Sequence, residues 1–242
     1  MDSWFAEFKA DFILNFVTEN RWKFITSGLK STLIITFFAV LIGVALGVLV
    51  AIVRAGYEKN YDDMQKGFGK FMLWLVNAIC KVYLTVIRGT PVVVQLMIMY
   101  YIIFATSRNS LLVAILAFGI NSGAYVAEIV RSGIMSIDAG QFEAGRSLGF
   151  DYKSTMWYVI IPQAFKNILP ALANEFIVLL KETSVAGYVT IRDLTMGGNI
   201  IRSATYSPFL PLIAVAVIYL VMVMFFTKLV GILERRLRKS ER

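Results

Sequence analysis

The sequence predicts an all-α integral membrane protein with about five transmembrane helices. Of its 242 residues, 58% are hydrophobic and only 17% are charged, whereas soluble domains carry about 25% charged residues. Such a composition is opposite to that of disordered chains. It also exceeds what one soluble core of this length can bury. The apolar residues fall into runs near the ~20 residues that one helical span requires.

Residues 1–23 form an N-terminal segment without the pattern of a secretory signal, because Asp2 and Glu7 occupy the region that should be basic. Phe5, Phe8 and Phe12 recur at helical spacing. This spacing predicts an amphipathic helix lying on the membrane surface. An extension of the following helix is the alternative.

The first half of the transmembrane domain, which covers residues 24–232, contains two apolar regions. Residues 24–53 predict the first span, and the polar stretch 54–70 predicts a loop. Residues 71–104 would make a helix of about 51 Å, too long for a ~30 Å hydrocarbon core. Pro91 and Gly89 weaken a helix there, so we expect one span broken near 88–91. Two spans joined by a tight turn are the alternative.

Three further spans are predicted in the second half, at residues 111–130, 163–180 and 209–230. A basic tail follows at 233–242. With five spans and the N-terminus outside, the inner segments hold 13 Lys and Arg residues and the outer segments hold 7. The positive-inside rule therefore predicts an external N-terminus and a cytoplasmic C-terminus. This distribution accounts for the net charge of +8 without nucleic acid as a partner, since the excess basic residues lie in the segments that the positive-inside rule assigns to the cytoplasm.

Several kinds of chemistry are excluded by composition. The chain has no histidine, so it has no Ser-His-Asp triad and no histidine metal site, and its single cysteine, Cys80, permits no internal disulfide. The string 145–149 matches G-x-S-x-G, but a nucleophile elbow needs a histidine. A phosphate-binding loop of the G-x-x-x-x-G-K type is also missing from the sequence. We expect no enzyme activity, metal or cofactor in this chain.

The loop at 136–162 is the most informative segment. Asp138 and Gln141 have the spacing of a capping box and predict the start of a short helix. Gly149 is placed to end that helix in the left-handed conformation. Asp151 can cap a second short helix, which we expect Pro162 to limit.

Four apolar side chains on this loop have no bilayer to bury them. They are Phe142, Leu148, Phe150 and Trp157. Apolar residues exposed on a folded loop indicate a partner protein.

These residues resemble the EAA loop of bacterial ABC importer permeases. Glu143-Ala144-Gly145, Gly149 and Ile161-Pro162 follow the motif, with Gly145 in place of the usual alanine and Ile161 in place of the usual leucine. The resemblance covers about residues 25–232. Within this range, the sequence is similar to the polar amino acid permeases at four further motifs. These are Arg88-Gly89-Thr90-Pro91 with Gln95, Ala127-Glu128 with Arg131, Pro162-Gln163-Ala164, and Lys181-Glu182-Thr183-Ser184.

The resemblance implies a type I ABC importer, or MetI-like, fold in the bacterial inner membrane. It implies a second permease subunit, identical or homologous, and an extracytoplasmic amino-acid-binding protein. A cytoplasmic ABC ATPase dimer would bind ATP and Mg and would also bind this loop. The residues that this match assigns to coupling are Gln141, Glu143, Ala144, Gly145, Ser147, Gly149 and Pro162. Small residues let such a helix enter a groove on another protein, and Glu143 could form a charge-assisted bond there.

Charged and polar residues in or beside the spans are candidates for the substrate pathway, because burying them in a membrane is costly. These are Asn121, Glu128, Lys181, Glu182, Thr183 and Ser184. Lys181 could hold a substrate carboxylate, and Glu182 or Glu128 could hold an ammonium. The alternative is a buried Lys-Glu or Arg88–Glu128 pair that only pins helices.

We therefore expect the permease subunit of an ATP-driven, binding-protein-dependent importer of a polar amino acid, working by alternating access. A cationic amino acid, or another small polar solute such as cystine, fits the same residues. An ATP-independent carrier or channel and an intramembrane enzyme are the competing classes, and the loop and the absent histidine count against them.

Overall fold

The computed structural model describes residues 2–61 and 64–239, and within these ranges it contains helices and no strand. This confirms the all-α fold class. The α-helices, in chain order, are α1 Asp2–Phe12, α2 Trp22–Asn60, α3 Phe68–Gly89, α4 Val92–Ile98, α5 Ser110–Met135, α6 Gly140–Ser147, α7 Tyr152–Thr155, α8 Ile161–Glu182, α9 Leu194–Thr205 and α10 Phe209–Lys239. Short π-helical turns follow α1, α4 and α7, and 3₁₀ segments cover Thr18–Asn20 and Thr183–Val189.

In the part of the chain that the structure describes, four helices are long and apolar enough to cross a membrane: α2, α3, α5 and α10. The fifth predicted span, 163–180, lies within α8, which has 22 residues. Its length of about 33 Å matches the hydrocarbon core. It is more polar than the other four because it carries Lys166, Asn174 and Glu175.

The break predicted near 88–91 is present. Helix α3 ends at Gly89, Thr90 is extended with φ −124° and ψ 147°, and α4 begins at Val92. Pro91 explains the break, since a proline pushes the preceding residue out of the helical region. The apolar helical stretch beyond it, Val92–Ile103, is too short to count as a span of its own.

The prediction of a loop at 54–70 is wrong for its first part, because α2 continues through Asn60. Arg54 donates to Glu58 over 3.1 Å one turn further on, and such pairs favour continuation of a helix. The predicted tail at 233–242 likewise extends α10 to Lys239. Residues 240–242 lie outside the described residues.

The chain divides into two compact units. The first comprises the described residues of Met1–Ala39, Val92–Phe118 and Ile177–Lys228, and the second those of Val40–Pro91, Gly119–Phe176 and Leu229–Arg242. The core of the first unit is built from Ile25, Leu194, Ile201 and Val215.

The N-terminal segment is helical over Asp2–Phe12 and Ile13–Val17, and Glu19 and Asn20, with φ 54° and 55°, interrupt it before α2. It is therefore not a continuous extension of α2.

A buried amide ties the N-terminal segment to the rest of the first unit. Asn15 donates to Ser207 Oγ over 3.1 Å and accepts from Thr205 Oγ1 over 2.8 Å. The side chains of Trp4 and Phe5 are about two-thirds exposed. The location of this segment at the membrane surface stays a prediction.

The second unit is held by close packing of α2 against α5. A Cβ added to Gly43 would lie 2.8 Å from Ser122 Oγ, and one added to Gly47 would lie 2.5 Å from a methyl group of Val126. The two glycines therefore act as a small-residue contact that lets the helix backbones approach. Ala51, Val126 and Val130 continue this core.

Candidate functional site

The first short helix of the 136–162 loop is α6, and its N-terminus differs from the predicted capping box. The carboxylate of Asp138 accepts from the backbone N–H of Gly140 over 2.6 Å rather than from Gln141. The amide of Gln141 instead accepts from Gln163 Nε2 over 3.2 Å. The box was wrong because a side chain further along the chain takes the Gln141 oxygen.

The C-terminus of α6 is as predicted. Gly149 has φ +82°, in the left-handed region, and no atom lies within 4 Å of the position a Cβ would occupy. The backbone N–H of Phe150 donates to the Gly145 carbonyl over 3.0 Å. This bond closes the helix end in the manner of a Schellman turn.

The second short helix, α7, begins as predicted but does not end at Pro162. Asp151 accepts from the N–H of Ser154 over 2.8 Å, which confirms it as the cap. The chain then passes through the π-helical turn Met156–Ile160 directly into α8, with Pro162 in its first turn. The backbone N–H of Ile161 donates to the Met156 carbonyl five residues back. The helix is therefore widened directly before Pro162, which has no N–H for the usual bond to the fourth residue before it.

The two short helices pack tightly on each other. A Cβ on Gly145 would lie 2.6 Å from the Thr155 side chain, so α6 and α7 can approach because Gly145 is a glycine. Phe142 stacks on Tyr152 with ring centroids 5.7 Å apart. Burial raises the pKa of the Tyr152 phenol.

Three of the four apolar side chains on the loop remain exposed. Leu148 is 77% exposed, Trp157 67% and Phe150 42%, whereas Phe142 is half-buried. Among the residues assigned to coupling, Gly145 is buried and Gln141 is half-buried. The exposed ones are Glu143, Ala144, Ser147, Gly149 and Pro162. Their assignment to coupling stays a prediction.

The substrate candidates of the second unit are Asn121, which is buried, and Glu128. The Glu128 carboxylate accepts from the guanidinium of Arg131 and lies 3.7 Å from Arg88 Nη1. The Arg88–Glu128 pair that the sequence left open is present as a contact, but its side chains are 43% and 33% exposed rather than buried. Two neighbouring cations already compensate Glu128, so its place in a substrate site stays a prediction.

The substrate candidates of the first unit lie around the end of α8. Lys181 is exposed and Glu182 half-buried, while Thr183 is buried and donates to the Leu180 carbonyl over 2.8 Å. Ser184 lines a cavity of about 420 Å³. The other lining residues are Gly187, Tyr188, Thr195, Met196 and Asn199.

Sequence reasoning missed two buried carboxylates. Asp193 is fully buried and accepts from the N–H groups of Thr195 and Met196 over 3.0 and 3.1 Å. Burial raises its pKa, and these two bonds act in the opposite direction. An aspartate directly before an apolar helical run is a cap signature that could have identified it.

The other buried carboxylate is that of Glu175, in the second unit. It is 8% exposed and accepts from Ser122 Oγ over 2.8 Å. An acidic residue within an apolar run was the available signal.

Residues 67–239 match the family described as the binding-protein-dependent transport system inner membrane component. The arginine transport system permease protein ArtQ of Bacillus subtilis is 34% identical over 90% of this chain and 94% of its own. The glutamine transport system permease protein GlnP of Escherichia coli is 34% identical over 87% and 91%.

Solved structures agree with these relatives. A crystal structure of an amino acid ABC transporter with histidines has a TM-score of 0.79 and 42% identity, covering 91% of this chain and 98% of that one. The MetNI methionine ABC transporter in an inward-facing conformation has a TM-score of 0.72 over 89% of this chain and 97% of that one. At 18% identity it shows a shared fold alone.

Proposed function

The chain belongs to the family of binding-protein-dependent transport system inner membrane components, and we propose that it is the permease subunit that conducts a polar amino acid inward in an ATP-driven importer. Hydrolysis of ATP, with its Mg, takes place on a separate ATPase dimer. A second permease, identical or homologous, completes the pathway, and an extracytoplasmic binding protein delivers the amino acid. The N-terminus lies outside and the C-terminus in the cytoplasm of a bacterial cell.

One observation carries this proposal: the 136–162 loop is folded, yet three of its four apolar side chains remain exposed. Leu148 and Trp157 are 77% and 67% exposed although the loop helices are held by Asp151, Gly145 and Gly149. Apolar side chains on a rigid exposed element are typical anchors for a partner. The ATPase is the partner that fits an importer subunit.

The test uses Gly149→Asp in the full chain produced together with its ATPase. Gly149 faces open space, so an aspartate adds a charge to the exposed surface at a backbone cost of about 1 kcal/mol. We expect normal yield and at least a tenfold loss of amino-acid-stimulated ATP hydrolysis. Gly149→Asn is the matched control for strain, since asparagine tolerates the left-handed region better than other residues. Normal uptake by the aspartate variant would exclude the coupling role.

A polar amino acid is favoured as substrate by the relatives named for arginine and glutamine and by the cavity beside Ser184. Its lining offers the hydroxyls of Ser184 and Thr195 and the amide of Asn199. Such groups can orient a zwitterion by hydrogen bonds. Glu182, two residues before Ser184, supplies a carboxylate for an ammonium group.

Uptake into vesicles tests this site. Asn199→Ala should raise the KM for the transported amino acid about tenfold, while Ser203→Ala, an exposed position on the same helix, should leave it unchanged. Glu182→Gln should lower transport of arginine more than that of glutamine. Equal KM values for all three variants and the wild type would mean that the binding protein alone sets specificity. Uptake without any ATPase would instead favour a carrier or channel.

A further inference from the structure

We propose that the second unit holds a binding site for the headgroup of an anionic phospholipid. The site is the cavity between the end of α2, the end of α5 and the 136–162 loop, which we call the coupling loop after its proposed role. The cavity measures about 410 Å³, within the range of small-ligand sites. It is separate from the cavity at Ser184. The proposal goes beyond the transport function and does not require it.

The walls of this cavity are mainly apolar. Ala51 and Ala55 come from α2, Ile134 and Met135 from α5, and the Phe142–Tyr152 stack from the loop. Apolar walls of this kind suit the glycerol backbone and first methylene groups of a lipid better than they suit a free, fully hydrated ion.

Two guanidinium groups line the same cavity. Arg54 donates to Glu58 over 3.1 Å, and Arg131 is paired with Glu128. Glu58 is the acidic residue among the described lining residues. With Glu128, which pairs with Arg131, and Arg88, which lies 3.7 Å from Glu128, the described charged groups are three arginines and two glutamates, an excess of one positive charge. The bond to Glu58 uses one of the five N–H donors of the Arg54 guanidinium. A guanidinium group binds phosphate through paired N–H donors, so Arg54 suits a phosphate ligand.

The position of Arg54 in the sequence places the cavity at the level of lipid phosphates. Arg54 directly follows the charge-free run 33–53, and Arg131 follows the predicted span 111–130, whose last turn already carries Glu128. The first charge after a span lies at the boundary between hydrocarbon and headgroups. This places Arg54 at that boundary, and Arg131 lines the same cavity. A basic pocket between helices at that depth is the arrangement that selects anionic lipid headgroups.

Occupancy of this site has a structural consequence for the loop. Phe142 and Tyr152 join the two short helices and also form a wall of the cavity. A bound headgroup would therefore contact the loop directly and would stabilise its position against the ends of α2 and α5.

The experiment measures binding of dioctanoyl phosphatidylglycerol to the purified full chain in a neutral detergent, by the saturable rise in its unfolding temperature. We expect Arg54→Gln to bind about fivefold more weakly, the loss for one basic contact with an anionic lipid. Arg236→Gln, an exposed basic position on α10, is the control and should bind as the wild type does. Ala55→Phe should also weaken binding, because it fills the apolar side of the cavity.

Three outcomes would overturn the proposal. Dioctanoyl phosphatidylcholine could bind as tightly, which would make the cavity an apolar groove without charge selection. Inorganic phosphate could produce the same shift, which would make it a site for free anions. Arg54→Gln and Ala55→Phe could both bind like the wild type, which would place the lipid elsewhere.

Discussion

The coupling loop at 136–162 and the segment at 183–207 both connect long apolar helices and both contain short helices, but they differ in what they expose and what they bury. The coupling loop leaves Leu148 and Trp157 in solvent, whereas the 183–207 segment buries Asp193 completely. An exposed apolar surface favours binding, and a buried, fully bonded polar group favours a single rigid structure. Substitutions should therefore affect partner coupling in the first region and stability in the second.

The largest loss of stability is expected from a substitution where the 183–207 segment contacts α2. A Cβ on Gly28 would clash with the backbone carbonyl of Asp193, and backbone cannot rotate away as a side chain can. Gly28→Val should lower the free energy of unfolding by about 3 kcal/mol. Thermal unfolding in detergent measures the change.

The control for this variant is Gly56→Val, on the same helix at a position where a Cβ meets no atom within 4 Å. It should unfold at nearly the wild-type temperature. Equal losses at the two positions would mean that glycine itself, rather than the contact with Asp193, is what α2 requires.

Two aspartate caps test the contrast in burial directly. Asp193 accepts two backbone N–H bonds while fully buried, and Asp151 accepts one while exposed. Asp193→Ala should cost about 2 kcal/mol, because buried N–H groups are left unpaired, and Asp151→Ala about 0.5 kcal/mol. Thermal unfolding of the two variants gives the ranking. A larger loss for Asp151→Ala would reverse our view of the two regions.

The sequence predicted the features that depend on neighbouring residues and missed those that depend on residues far apart in the chain. Local signals were sufficient for Asp151, Gly149 and the break at Pro91, because each acts on residues within one helical turn. The predicted capping box at Gln141 was wrong because Gln163, 22 residues later, binds its side chain. The partly buried pair Asn15 with Thr205 and the buried pair Ser122 with Glu175 join residues far apart in the sequence. Spacing along one sequence carries no signal for such partners.

An intermediate effect is expected for the exposed aromatic residues. Trp157→Ser removes an apolar side chain that is 67% exposed on the coupling loop. We expect capture of the ATPase to weaken about tenfold with no change in unfolding temperature, since hot-spot aromatic residues carry binding energy of this size. Tyr206→Ser, 93% exposed in the other region, should leave capture unchanged. Equal weakening by both would mean that exposure alone, not position on the loop, accounts for the effect.

The smallest effect concerns Gln141, which the sequence assigned to contact with a partner. Its side chain is engaged within the chain by Gln163 over 3.2 Å, so Gln141→Ala should cost about 0.5 kcal/mol of stability. Gln163→Ala should cost the same if this bond is what both residues provide, and the double variant should cost no more than either single one. Unfolding temperatures of the three variants complete the cycle. If the double variant instead lost as much stability as the two single variants together, Gln141 would act independently of Gln163. The Gln141 side chain would then be available for contact with a partner, as the sequence predicted.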